Sequence, residues 1–432
     1  MTATLSRNVQ RRFMSVANKV RLLSSLRESV GLRAEYDISE NQWSAIVSPL
    51  NAIEAKLRNT LKREGGKLLG NIHDANSRKE LTRLLGRIEL TLSKYFTYFD
   101  TFVDLLSQRH LPEMGLLLGG CDVLAWDSLK KDHPALSIVE EPLVSFNRGF
   151  GASILREGVR LPDGTPNPLA TIQIPYTKLR DKYNLTSVVH ETGHLAIVQL
   201  DLVQALPDAI REALSAAGAS KRLRELYGLW CKEIGPDFWG FCNCGAAQAS
   251  SVMEILNLPA SRVFRVSSGD PHPPPYLRVL LACEWCRQQW GRGDWDDWEK
   301  EWIHTYPLEE APDKYRAILI SGLKFRPVVS RTLFHTRFRL LGNRTIPSLF
   351  NIESVSPSRL NRIIEAAEKN GILDLSQLSP CGQLALFRML RNKSKISEES
   401  LDRLMTTWLI RLAQGRTFKE RYSRRNIHYG NK

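Results

Sequence analysis

The chain has 432 residues, of which 43% are hydrophobic and 25% are charged. This composition is typical of folded proteins, and the length predicts two or three domains. No run of 18 uncharged apolar residues occurs, and no apolar signal-peptide core follows the start. A membrane span and Sec-dependent secretion are therefore not expected.

The cysteine content bears on the compartment. Seven cysteines, an odd and modest number, favour free thiols in a reducing environment, so we expect a cytoplasmic protein. The first 27 residues are rich in Arg and Ser and contain no acidic residue, which makes the mitochondrial matrix an alternative. Export by a route other than Sec is a second alternative.

The net charge of +14 is concentrated at the two ends of the chain. Residues 1–33 carry seven Lys and Arg against one acidic residue, and residues 391–432 carry eleven against four. A basic central region would predict a nucleic-acid groove. Basic ends instead predict solvated tails, with weak contact to nucleic acid or an anionic surface as the alternative.

The predicted elements are mostly helices, with few strands. Ser39 followed by Gln42, and Ser77 followed by Glu80, each match the start of an amphipathic helix. A β-rich run covers residues 170–176, and helical patterns return after it. We therefore expect a mainly α fold with a small β-sheet (α+β).

The segment "VVHETGHLAIV" carries the strongest chemical signal. On a helix, His190 and His194 are one turn apart on one face, with Cβ atoms about 6 Å apart, so both imidazoles can bind one metal ion. Glu191 flanks that face and is placed to take a proton from a bound water. Gly193 costs about 1 kcal/mol in a helix interior, which predicts close packing beneath the metal.

A third ligand has to come from another segment. "LWCKEIGPDFWG" contains Glu233 and Asp237, four residues apart in apolar surroundings. A metal ion would compensate a buried Glu233, and Asp237 could accept the free N–H of a metal-bound imidazole. Pro236 predicts that the helix is interrupted or begins here. Glu225, in a more polar run, is the fallback ligand.

The order HExxH followed by ExxxD resembles the gluzincin metallopeptidases. The resemblance implies one catalytic Zn²⁺ held by His190, His194 and Glu233, with Glu191 as the base and Asp237 behind His190. "DPHPPPYLRV" also resembles the HPxxxxR stretch of the CAAX prenyl endopeptidase family. His272 and Arg278 occupy its matching positions and are expected to be catalytic. His272, Tyr276 and Arg278 are the candidate donors to the oxyanion.

The resemblance also implies a substrate-binding strand before the metal helix. The run "ATIQIPY" has the alternation and position for it, so Ile172, Ile174 and Tyr176 are expected to form an edge that pairs with an extended peptide. The alternative is an internal strand.

Two close cysteine pairs leave a second metal site open. Cys242 and Cys244, with Cys283 and Cys286, could together hold a structural zinc, although buried inert thiols are the more common case.

These observations divide the chain into five segments. A gluzincin-like zinc metallopeptidase core is expected between two helical regions. The segments are a basic tail over 1–33 that need not be ordered, a helical region over 34–150, the metallopeptidase-like domain over 151–320, a helical C-terminal region over 321–415 and a basic tail over 416–432.

The function expected from the sequence is that of a soluble zinc-dependent metalloendopeptidase acting on protein or peptide substrates. The alternative is a zinc-containing binding or scaffold protein that does not cleave and is tethered through its basic tails to nucleic acid or anionic membrane. A zinc hydrolase of a non-peptide bond is a third hypothesis.

Overall fold

The computed structural model describes residues 2–147, 151–161 and 163–428 of the chain. Helices make up most of it, with one small mixed sheet, which confirms the expected α+β class. Among these residues, no helix combines the length and the apolar character that crossing a membrane requires.

The N-terminal part of the chain is helical up to the first strand. Its helices are α1 (Thr2–Leu22), α2 (Leu26–Val30), α3 (Glu40–Thr60), α4 (Gly66–Gly70), α5 (Ala75–Ser107), α6 (Pro112–Leu129) and α7 (Pro134–Ser137).

One of the two predicted helix starts is confirmed. The Ser39 hydroxyl accepts a hydrogen bond from the backbone of Gln42, and the Gln42 side chain accepts one from the backbone of Ser39. The start predicted at Ser77 is wrong, because the carboxylate of Asp74 accepts a hydrogen bond from Ser77 N at 2.7 Å and caps α5 three residues earlier.

The prediction of a basic tail over residues 1–33 is also wrong. Helix α1 and the 3-10 turn that follows it bury Val16, Val20 and Leu23 in the core of the N-terminal region. These residues recur at helical spacing, so the segment is amphipathic, and the basic residues occupy its other face. Arg27, for example, pairs with Asp37 and Glu40.

The three strands form one mixed sheet in the order β1-β3-β2. They are β1 (Leu143–Asn147), β2 (Ser153–Leu155) and β3 (Thr171–Pro175). β3 pairs in parallel with β1 and antiparallel with β2, so β3 is the central strand and β2 lies at one edge.

Helices follow the sheet to the end of the described chain. They are α8 (Thr186–Gln199), α9 (Leu202–Ala216), α10 (Lys221–Cys244), α11 (Ala246–Ile255), α12 (Ala260–Val263), α13 (Pro275–Trp290), α14 (Asp294–Thr305), α15 (Asp313–His335), α16 (Pro357–Asn370), α17 (Pro380–Asn392) and α18 (Glu398–His428).

The buried clusters cross the predicted segment limits. One apolar cluster combines side chains of α6, α8, α17 and α18. The limits predicted at 320 and 415 fall inside α15 and α18. Of the predicted tail over 416–432, α18 covers the backbone to His428; the last four residues and the side chains from 417 onward lie outside the described structure.

Helix α18, near the C terminus, packs closely against α6. A Cβ added at Gly120 would lie 2.4 Å from the Leu409 carbonyl oxygen, and one added at Gly119 would lie 3.1 Å from the Ala413 side chain. Only glycine permits this approach of the two helix backbones.

Gly120→Ala is therefore predicted to lower the free energy of unfolding by about 1–3 kcal/mol, because the added methyl cannot be accommodated. Gly415→Ala is the matched control, since a Cβ at Gly415 would meet no atom within 4 Å. It should raise stability by about 0.5–1 kcal/mol through helix propensity. Urea denaturation of the full chain measures both; equal stabilities for Gly120→Ala and wild type would contradict this packing.

Candidate metal centre

Three side chains from two helices converge as the sequence predicts. His190 and His194 lie one turn apart on α8, and Glu233 lies on α10. The ligand atoms of these residues are all within 4.8 Å of one another. In the part of the chain that the structure describes, this is the group of His, Cys, Asp and Glu side chains with the spacing to hold a metal ion.

The convergence depends on a close crossing of α8 and α10. A Cβ at Gly193 would lie 2.7 Å from Pro236 Cα and 3.0 Å from its carbonyl oxygen, which confirms close packing beneath the ligands. The predicted interruption of the helix at Pro236 is wrong, because α10 continues through it to Cys244. Proline removes one backbone donor, and the Cα, carbonyl oxygen and Cβ of Pro236 are the atoms that lie against the glycine of the other helix.

The distances between ligand atoms fit a shared cation. Glu233 Oε2 lies 3.4 Å from His190 Nε2, and Glu233 Oε1 lies 3.7 Å from His194 Nε2. Ligands about 2.0–2.1 Å from a tetrahedral ion are separated by about 3.3 Å. Two imidazole nitrogens and one carboxylate oxygen therefore have the chemistry and the spacing to hold a metal ion.

A buried carboxylate holds His190 in place. Asp237 Oδ1 lies 2.8 Å from His190 Nδ1, so the ring donates its Nδ1 proton to Asp237 and turns Nε2 towards Glu233. Arg278 donates from Nη2 to Asp237 Oδ1 at 2.9 Å and from Nε to the other oxygen. The predicted position of Asp237 behind His190 is confirmed by this contact.

The charges of this group are strongly coupled. Burial opposes the charged forms of Asp237 and Glu233, but His190 and Arg278 outweigh burial and hold both pKa values below their usual range. Burial also disfavours protonated His190, yet Asp237 and Glu233 raise its pKa to about 10. Burial and the neighbouring His190 lower the pKa of His194 to about 4.

Glu191 stands apart from these pairs. It is buried on α8 and lines the same cavity as the two histidines, and burial raises the pKa of its carboxyl. Among the described residues, no hydrogen bond or ion pair engages its side chain. Its carboxylate is therefore available to a molecule in the cavity.

The cavity above the ligands has a volume of about 690 Å³. His272 lies at its margin with 57% of its side chain exposed, and its Nε2 is 3.6 Å from Glu233 Oε1. Asp270, which sequence reasoning missed, accepts hydrogen bonds from Nδ1 of His272 at 2.7 Å and from its backbone N at 3.0 Å. The carboxylate two residues before the histidine in "GDPH" is the signal that could have identified this pair.

Tyr276 and Arg278, the two other candidate oxyanion donors, lie deeper in the protein than His272. Tyr276 is fully buried, and burial raises its pKa to about 12, so the expectation that it could stabilise an oxyanion is wrong. Arg278 lines the cavity, but its guanidinium is engaged by Asp237 and lies 3.8 Å from Glu233. These contacts favour a role in positioning Asp237, and the catalytic role of Arg278 stays a prediction.

The predicted substrate edge is wrong. Ile172 and Ile174 belong to the central strand β3, both of whose sides are paired, and their side chains are fully buried. Tyr176 begins the 3-10 turn Tyr176–Leu179 and packs against Phe146. β2 is the strand at the margin of the cavity, where Ser153 and Ile154 line it.

The remaining ligand candidates do not join the cluster. Glu225 has 62% of its side chain exposed and lies 3.8 Å from Arg211, so the fallback assignment is wrong. All the cysteines are free and buried. Within the described residues, the second metal site is not formed by the pairs Cys242 and Cys244, and Cys283 and Cys286.

Models of known protein families, curated protein sequences and solved structures give no match to this chain.

Glu233→Gln is predicted to weaken divalent metal binding by at least about 100-fold, more than the 10–100-fold typical of losing an outer partner. Competition with a chromogenic chelator measures this for Zn²⁺ and Co²⁺. Glu225→Gln, an exposed change on the same helix, is the control and should bind like wild type. Equal affinities for the two variants would contradict the ligand assignment.

Proposed function

We propose that the chain is a zinc-dependent metallopeptidase that hydrolyses peptide bonds in the cavity above His190, His194 and Glu233. The observation that carries the proposal is the unengaged carboxylate of Glu191 beside this ligand group, in a cavity open to solvent. The motif order that resembles the gluzincin metallopeptidases supports it.

Zinc is the proposed ion because of the donor set. Two imidazoles and one carboxylate are a common ligand set of catalytic zinc, which keeps a further position open for water or substrate. Thiolates, which would favour a closed structural site, are not part of the group. Zinc in this set supplies Lewis acidity, which makes the attacking water more acidic and polarises the substrate carbonyl.

The side chains then divide the work of hydrolysis. Glu191 accepts a proton from the attacking water as the new C–O bond forms, and gives it to the amine as the C–N bond breaks. His272, when protonated, donates from Nε2 to the carbonyl oxygen as it becomes anionic, and Asp270 balances its charge. Asp237, held by Arg278, keeps the ring of His190 in the orientation that binding requires.

The edge strand β2 is the proposed site for the substrate backbone. β3 pairs with one side of β2, and Ser153 and Ile154 of β2 line the cavity. An extended peptide that adds to this edge gains main-chain hydrogen bonds. Aliphatic side chains of α9 such as Leu202 and Leu206 line the same cavity and favour apolar substrate residues.

Glu191→Gln is predicted to bind zinc like wild type and to lower kcat by about 10²–10⁴-fold, because the amide cannot accept the proton. Zinc content and cleavage of a casein or peptide-library substrate measure the two effects. Wild-type activity should disappear with a chelator and return with zinc. A wild-type protein that binds zinc but cleaves no peptide would instead support the non-cleaving binding protein.

A further inference from the structure

One lysine of the cavity has no counter-ion. Lys178 lies in the 3-10 turn Tyr176–Leu179, directly after β3, and lines the same cavity as His190 and Glu191. It is half-buried. Among the described residues, its ammonium has no hydrogen bond, no ion pair within 4.0 Å and no aromatic ring beneath it. Asp181 and Glu254 act on it only from a longer distance.

This arrangement is unfavourable without a ligand. Partial burial removes water from the ammonium and lowers the pKa of Lys178. Lys182, which lies four residues later and is buried, does have a counter-ion, because it donates to the Asp402 carboxylate. Burying a charge without a partner costs free energy, so the missing anion at Lys178 distinguishes it from Lys182.

The cavity itself offers no anion for Lys178. Among the described residues, the carboxylates that line it are those of Glu191, Glu233 and Asp237. Asp237 is engaged by His190 and Arg278, Glu233 faces the imidazoles, and Glu191 serves the reaction in the proposed function. Arg156 and Lys232 add further positive charge to the lining, so a negatively charged group on the substrate would be attracted into this part of the cavity.

We propose that Lys178 is a specificity-determining residue that binds a carboxylate of the peptide substrate close to the cleaved bond. This inference rests on the proposed peptidase function. A cavity of about 690 Å³ holds only a few residues, so the carboxylate belongs to a residue near the scissile bond. An ammonium with three donors on a flexible stem accepts either an acidic side chain or the C-terminal carboxylate.

The test uses hexapeptides of alanine and leucine in which one position at a time carries either Glu or Gln. Each peptide is prepared with a free and with an amidated C terminus. Wild type is expected to show at least a 10-fold higher kcat/KM for peptides with the carboxylate than for their amide counterparts. A preference for Glu identifies a side chain, and a preference for the free end identifies the C terminus. The ratio should fall to near one in Lys178→Met and be restored in Lys178→Arg.

Arg180→Met is the matched control, because Arg180 is exposed, lies two residues away and does not line the cavity; it should keep the wild-type ratio. A wild-type ratio near one, or an unchanged ratio in Lys178→Met, would overturn the inference while leaving the peptidase intact. If no peptide is cleaved, the peptidase proposal is wrong. Binding of fluorescently labelled versions of these hexapeptides to Glu191→Gln, with and without Lys178→Met, then decides the carboxylate site by itself.

Discussion

The contact between Gly193 and Pro236 is the constraint on which the site depends. Because the backbones of α8 and α10 approach so closely at this contact, Glu233, one turn before Pro236 on α10, comes within reach of His190 and His194 on α8. A methyl group at Gly193 would lie 2.7 Å from Pro236 Cα, so the helices would have to separate. Glu233 would move with α10 while the imidazoles stayed on α8, and the distances of 3.4 and 3.7 Å could not both persist.

A chain of buried charges extends from this crossing. Arg278 on α13 binds Asp237, Asp237 binds His190, and His190 faces Glu233. Each buried charge is compensated by the next, so the orientation of one ligand is set by a helix that supplies no ligand. Asp237 and Arg278 are 41 positions apart in the chain, so the contact between them joins the ExxxD segment to the HPxxxxR segment.

The sequence predicts correctly those parts of the site that depend on the regular spacing of residues along one helix. His190 and His194 share a face, with Glu191 on its flank, because of helical geometry alone, and Asp237 follows Glu233 by the same four-residue spacing. The order of strands is not local: β3 follows β2 in the chain but lies between β1 and β2, so the edge was assigned to the wrong strand. The many Arg residues in residues 1–33 predict a solvated tail, but Val16, Val20 and Leu23 form an apolar stripe that packs into the core. Net charge alone does not reveal such a stripe, because the charged and the apolar residues lie on opposite faces of the helix.

The C-terminal helix α17 supports the segment that leads into α8. Arg388 of α17 donates to Asn184 Oδ1 at 3.0 Å and pairs with Glu254 of α11 at 2.6 Å. The guanidinium of Arg391 lies 3.9 Å from the ring centre of Tyr183. Arg388 and Arg391 thus stabilise the segment between β3 and α8, although they lie more than 200 positions later in the chain. That segment contains Lys178 and leads directly into α8, which carries His190 and His194. A shorter chain that ends before α17 would therefore lose contacts that support the position of α8.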